Sequence, residues 1–263
     1  MADAQGTWKA PRGPGGVNPD LNGVWQAVNE ANWDIERHLA RSSVQERAGP
    51  MGPIPSVSTL YMGATASVPP SLGVVVGGKL PYTPQALAKR DENRAHWADR
   101  DPEVKCFLPG IPRANYLPHP FQIFQSPNNV EFVYQFASAN RNVLMEDPGP
   151  APADFWMGQS VARWEGDTLV IEVTSQNDQT WFDRAGNHHS AAMKVTERYT
   201  PMGLNHLQYE AVIDDPETFT RPWTMRMPLY RRVEPNAMLL DFKCVEFVEE
   251  LIYGELRSKP LPR

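Results

Sequence analysis

Basic runs, long apolar stretches and cysteine are what this sequence lacks. Its 25 Lys and Arg are scattered among 31 Asp and Glu, for a formal net charge of −6. Nucleic-acid binders take much of their affinity from phosphate contacts and carry a basic stripe for them, so the sequence argues against a nucleic-acid partner. No apolar run approaches the ~20 residues of a membrane helix, which points to a soluble chain with no membrane span. Only two cysteines occur, Cys106 and Cys244. They are either two buried thiols or one disulfide whose long loop is worth roughly 4–5 kcal/mol in the chain-entropy model. Phosphate-cradling loops are missing too: Gly73 and the Gly77-Gly78 pair match neither dinucleotide nor P-loop spacing. No cofactor is implied.

Proline is abundant instead. The 26 Pro exceed the usual ~5% of residues and gather in 9–19, 49–55, 69–84 and 149–152. Proline lacks the backbone donor a central strand needs, so these stretches read as loops and extended covers. Residues 1–20 form an extended leader, and 21–263 read as one domain with a helical and loop insertion at about 30–105. Within it, 32–48 suggests a short helix and a loop. Thr83-Pro84 supplies an N-cap and a first-turn proline for a polar helix over 85–101.

Elsewhere the period is two. Residues 21–28 (LNGVWQAV) form a first strand in which Gly23 and Trp25 make the G-x-W that opens lipocalin barrels. Hairpins follow at 121–125 with 130–137 and at 159–164 with 168–174, then strands at 192–200, 207–214, 223–231 and 238–248. Strands at hairpin spacing without long helices between them predict a mainly β fold. The form expected is an antiparallel, lipocalin-like (calycin-type) barrel with short peripheral helices and Pro-rich loops. Alternation turns Tyr209, Met225 and Leu240 inward on their strands. Glu197 breaks the pattern, as a carboxylate on an otherwise apolar face between Val195 and Tyr199.

Reactive side chains are densest in 177–190, NDQTWFDRAGNHHS, between two expected strands where a barrel opens. Scaffold-held loops of this kind often carry function; the bland alternative is an Asx-rich connection capping its own backbone. As a site, it offers His189 as general acid or base, with Asp183 orienting it and Asp178 nearby. A buried Glu197 is expected to have a raised pKa and to carry a proton; pairing with Arg141 or Arg163 is its structural alternative. Trp181 and Tyr209 would wall the ligand, with Phe182, His188 and Arg141 as further contacts. Ser190 beside His189 is not a nucleophile signature, and no G-x-S-x-G elbow exists. His188-His189 with Asp183 lacks metal-ligand spacing, so no metal is expected.

Several phrases of the chain resemble a largely uncharacterised, often exported bacterial protein family: DLNGVWQ (20–26), DPEVKCFLPGIPR (101–113), FQIFQSP (121–127), SVARWEGDTLV (160–170), NDQTWFDRAGNHHS (177–190), VTERY (195–199) and DDPETFTRPW (214–223). The resemblance covers residues from about 20 to 248, with WEGDTLV, NDxTWxD, HS and VTER its most specific part. It implies a shared fold and site, cysteines at the positions of Cys106 and Cys244 with the disulfide favoured, and export. The chain departs from the family pattern at His188, where relatives have Pro before His-Ser, and at Lys194, where they often carry His.

Three functions compete. One is a cofactor-independent lyase, isomerase or hydrolase acting on an apolar, aromatic or terpenoid oxygenated small molecule in a barrel cavity. Another is a non-catalytic, lipocalin-like carrier or sensor of such a molecule. The third, a carbohydrate-binding module, needs an exposed Trp, whereas Trp25, Trp164 and Trp223 read as core. The first residues, Met1-Ala-Asp-Ala-Gln, have no signal-like region and read as a mature N-terminus behind an added Met. That points to a periplasmic or exported protein, with the cytoplasm as the alternative.

Overall fold

The computed structural model describes residues 8–42, 48–49, 52–53 and 67–248. Nine strands close into a barrel: β1 (Gly23–Ala27), β2 (Phe121–Gln125), β3 (Val130–Tyr134), β4 (Asn140–Leu144), β5 (Gln159–Glu165), β6 (Thr168–Thr174), β7 (Lys194–Gly203), β8 (His206–Asp214) and β9 (Trp223–Arg231). Neighbours follow the chain from β2 to β9, and β1 closes the ring by pairing with both β9 and β2. A closed ring with an odd number of strands cannot alternate direction throughout. The parallel pair falls at β4 and β5, joined through only Val143↔Ser160 and Leu144↔Val161, and residues 145–158 carry the chain back between them.

Burial follows the pleat. Val195, Glu197 and Tyr199 of β7, Leu207, Tyr209, Ala211 and Ile213 of β8, and Trp223, Met225, Met227 and Leu229 of β9 all point into the core. Gly23 of the G-x-W has a physical reason: at φ +137, a Cβ there would lie 2.6 Å from Arg231 Nη1. That guanidinium sits 4.5 Å above the Trp25 ring, so the glycine makes room for the arginine that covers the tryptophan. Among the described residues two short helices lie outside the barrel, α1 (Pro84–Ala95) and α2 (Trp97–Arg100), broken at His96. Thr83 caps α1 by accepting from Ala86 N at 3.3 Å. Among the described residues no helix is long and apolar enough to cross a membrane.

Three expectations need correction. Residues 238–248 are not a strand; they run irregularly on the outside, with Met238 and Leu240 each 66% exposed. The ring already closes through β1, so it leaves no edge for them. The ninth place belongs to β4, whose alternation is hidden because Arg141 takes an inward position. Residues 32–42 form turns and a two-residue strand rather than a helix, and 43–47 lie outside the described residues. The disulfide that the resemblance favours is present: Cys106 and Cys244 are bonded, with Cα atoms 5.8 Å apart, which ties the outer segment to the turn at 102–107.

The inward Glu197 is matched by its surroundings. It forms an ion pair with Arg141 and accepts hydrogen bonds from Asn115 Nδ2 (2.7 Å), Tyr209 OH (2.8 Å) and Tyr199 OH (3.0 Å). Arg141 also donates to Ser160 Oγ at 2.8 Å, and Tyr134 OH donates to Asn115 Oδ1 at 3.0 Å. Burial, and then the Glu197 charge, raise the pKa of Tyr199 and Tyr209 well above that of a free phenol. Glu197, Tyr209 and Arg141 therefore form a buried network inside the barrel rather than a ligand-facing wall.

Candidate functional site

Residues 177–190 connect β6 to β7 across one end of the barrel and fold back on themselves. Trp181 bridges His188, and Phe182 N donates to Asn187 O at 2.7 Å. Asp183 sits at the fold and accepts from Ala185 N (2.9 Å), Asn187 N (3.2 Å), Asn187 Nδ2 (2.7 Å) and the more distant Ile35 N (2.8 Å). Burial, and then the charge of Asp34, push Asp183 up to about 8 against these donors. Asp183 thus ties backbone together and does not orient His189. Phe182 is a plug rather than a ligand contact: its ring meets Trp223 at 5.3 Å, and its carbonyl accepts from Tyr116 OH at 2.9 Å.

The outer surface of this connection forms one wall of a half-open cleft of about 710 Å³. His188, His189 and Trp181 line that wall, α1 contributes Lys89 and Asn93, and the turn at 102–107 contributes Lys105 and Phe107. Asp178 and Glu217 also line it. Neither Lys89 nor Lys105 has an ion-pair partner among the described residues, whereas Arg100, also in the lining, is bound to Glu92 at 2.7 Å. Beneath the cleft, Arg113 joins Asp101 (2.6 Å) and Glu103 (2.8 Å), and Arg184 joins Glu103 (2.9 Å). Burial opposes the Glu103 charge, yet Arg184 and Arg113 hold its pKa down to about 2. These ion pairs fasten the 102–107 turn to the 177–190 connection, and the disulfide holds the same turn from the other side.

The two imidazoles differ. His189 is enclosed: Nδ1 lies 2.9 Å from Ser190 O, and Nε2 lies 2.6 Å from Thr180 Oγ1 and 3.3 Å from Gln176 Nε2. A carbonyl only accepts, so Nδ1 carries the proton and Nε2 receives the Thr180 hydroxyl. Thr180 is itself shut in, because a Cβ on Gly110 (φ +71) would lie 2.6 Å from its Oγ1. Burial lowers the pKa of His189, opposed by the Ser190 carbonyl and the charges of Asp215 and Asp178. His188 stacks on Tyr82 at 5.9 Å, with Nδ1 buried and the Gly186 carbonyl beside the ring, which leaves Nε2 as the nitrogen available to the cleft. Burial, and next the Lys89 ammonium, bring His188 down to about 4, so it is neutral at physiological pH.

The predicted residues therefore separate into groups. His189, His188, Trp181 and Asp178 share the cleft, which lies outside the barrel rather than within it. Asp183 and Phe182 support the connection from behind, and Glu197, Tyr209 and Arg141 belong to the barrel interior. In the sequence Asp215 figures only within the phrase DDPETFTRPW, with no role of its own expected. It accepts from Ser190 N (2.7 Å) and Ser190 Oγ (2.6 Å), and so fixes the residue whose carbonyl sets the His189 tautomer. Its signal in the sequence was the acidic pair ahead of Pro216. Among the described residues no group of three His, Cys, Asp or Glu side chains is arranged to hold a metal ion. No family model matches the chain, and no curated protein or solved structure matches it.

Proposed function

We propose that this chain is a cofactor-independent enzyme of the lyase, isomerase or hydrolase type that moves a proton on an oxygenated ring compound bound in the cleft. The observation that carries this reading is His188, a neutral imidazole with one nitrogen turned to a cleft that also holds unpaired ammonium groups. In the proposed reaction His188 Nε2 takes the proton, and Lys89 stabilises the negative charge that develops on oxygen. A negative charge placed beside the imidazole also raises its pKa from about 4 toward the working range. Trp181 and Phe107 pack the ring. The ammonium groups favour a more polar substrate than the apolar, oxygenated one expected from the sequence. Export to an oxidising compartment is part of the proposal, because disulfides such as Cys106–Cys244 persist there.

A carrier or sensor is the second reading, and one observation favours it: both ring nitrogens of His189 are already satisfied within the protein. Assays of the purified chain against oxygenated aromatic and terpenoid compounds, run beside native mass spectrometry, separate the two. On the enzyme reading, His188→Ala lowers turnover by at least ~100-fold, the lower range of acid–base contributions, and leaves the fold intact. Turnover unchanged in that variant removes His188 from the chemistry. A retained ligand with no turnover establishes the carrier.

A further inference from the structure

At the end of the barrel away from the cleft, β4 and β5 finish and the 126–129 turn joins β2 to β3. A groove of about 530 Å³ lies there. Its floor is apolar: Val143 points into the core, and Met145 and half-buried Trp164 pack against that core from outside. Trp164 was expected to be core, yet it stands at the barrel mouth because it is the last inward position of β5, beyond Ala162 and Ser160.

Around this floor stand the amides of Asn18, Asn128 and Asn142 and the carboxylate of Glu146. None of these four side chains has a hydrogen-bond or ion-pair partner among the described residues. Among the described residues no lysine or arginine lines the groove, so none of them would neutralise a phosphate or a carboxylate. An amide offers two donors and an acceptor together, which is what a ring hydroxyl, donor and acceptor at once, requires. A half-buried indole beside the amides offers a flat face to the C–H side of such a ring.

We propose that this mouth binds a neutral hydroxylated ring, a pyranose, packed against Trp164 and hydrogen-bonded by Asn18, Asn128 and Asn142. The site is independent of the cleft and of any reaction there.

Saturation-transfer NMR on the full chain, with methyl glycosides of glucose, galactose, mannose and N-acetylglucosamine, tests the proposal. At least one glycoside should receive transfer, strongest at the ring protons of one face. Asn142→Ala should weaken its binding by up to about tenfold, the value of one good hydrogen bond, and Trp164→Ala should abolish it. Where Trp164→Ala does not fold, Trp164→Phe replaces it and should weaken binding without abolishing it. His188→Ala should leave glycoside binding unchanged. The proposal is overturned by no transfer to any of the four glycosides. It is equally overturned by transfer that survives both Asn142→Ala and the Trp164 variant, or by adenosine or uridine binding more tightly than every glycoside.

Discussion

Thr180 Oγ1 and His189 Nε2 are 2.6 Å apart, and both side chains are buried. The contact looks like a nucleophile and its base, but the surroundings make it a brace. Gly110 closes over the hydroxyl, Gln176 Nε2 donates to it at 3.0 Å, and Ser190 O takes the other side of the ring. Thr180→Val removes the donor and leaves Nε2 with the Gln176 amide alone. The expected loss is about 1–3 kcal/mol of stability, the cost of leaving a buried acceptor poorly satisfied. Chemical denaturation measures it, and 15N NMR of the wild-type chain should show the proton on Nδ1. A proton on Nε2 would reverse the assignment.

His188 should titrate near pH 4, below an ordinary histidine, because burial and then Lys89 disfavour its charged form. The unfolded chain takes up this proton near pH 6.5 and the folded chain near 4, so between these values the unfolded state binds more protons. Stability from this group is therefore lost as pH falls through that window, by up to about 1.4 kcal/mol per pH unit. Lys89→Met removes the second cause and should move the His188 titration upward, which histidine NMR reads directly. A His188 titration that does not respond to Lys89→Met separates the two side chains.

Asp183 has the opposite sign. Its folded pKa is pushed up to about 8, by burial first and by Asp34 next, while the unfolded carboxyl titrates near 3.9. The folded state holds the extra proton, so this contribution is present at low pH and is lost as pH rises through 8. From about 4 to 6.5 the Asp183 and His188 effects oppose each other; above that only Asp183 acts, and the melting temperature should drop between pH 6.5 and 8. Asp34→Asn keeps an oxygen for the Glu36 N–H, which Asp34 Oδ1 accepts at 3.1 Å, and removes the charge. The drop should shrink in that variant when thermal melts are compared across pH.

The barrel was legible in the sequence wherever apolar residues held the inward positions, as in Leu207, Tyr209, Ala211 and Ile213 of β8. It was illegible at β4, a five-residue strand in which Arg141 takes one of two buried positions, and the apolar alternation of 238–248 imitated a strand that a closed ring cannot accept. The dense segment 177–190 was correctly located between two strands, but not which of its groups face outward. Period-two reasoning fails in a folded-back loop, where Asp183 turns to its own backbone and His188 to the cleft. Asp215, Lys89 and Lys105 reach the site from segments distant in sequence. No local pattern announces such convergence.

Glu197 supplies the decisive comparison between a structural and a chemical role for the barrel interior. Removing its charge leaves Arg141 buried with no opposite charge, since its other contacts, Ser160, the π-face of Phe132 and the Tyr134 hydroxyl, are neutral. Glu197→Gln should cost about 3–5 kcal/mol, the usual penalty of an orphaned buried charge. Arg141→Met should cost a similar amount through the stranded carboxylate. The double variant Arg141→Met/Glu197→Gln removes both charges, so it should be clearly more stable than the sum of the single losses implies. A double-mutant cycle by denaturation gives that coupling. Ligand binding in the cleft should be unaffected in every variant that folds, because neither residue reaches it. Additive losses would dissolve the pair as a unit, and a folded double variant that lost cleft binding would return Glu197 to the functional site.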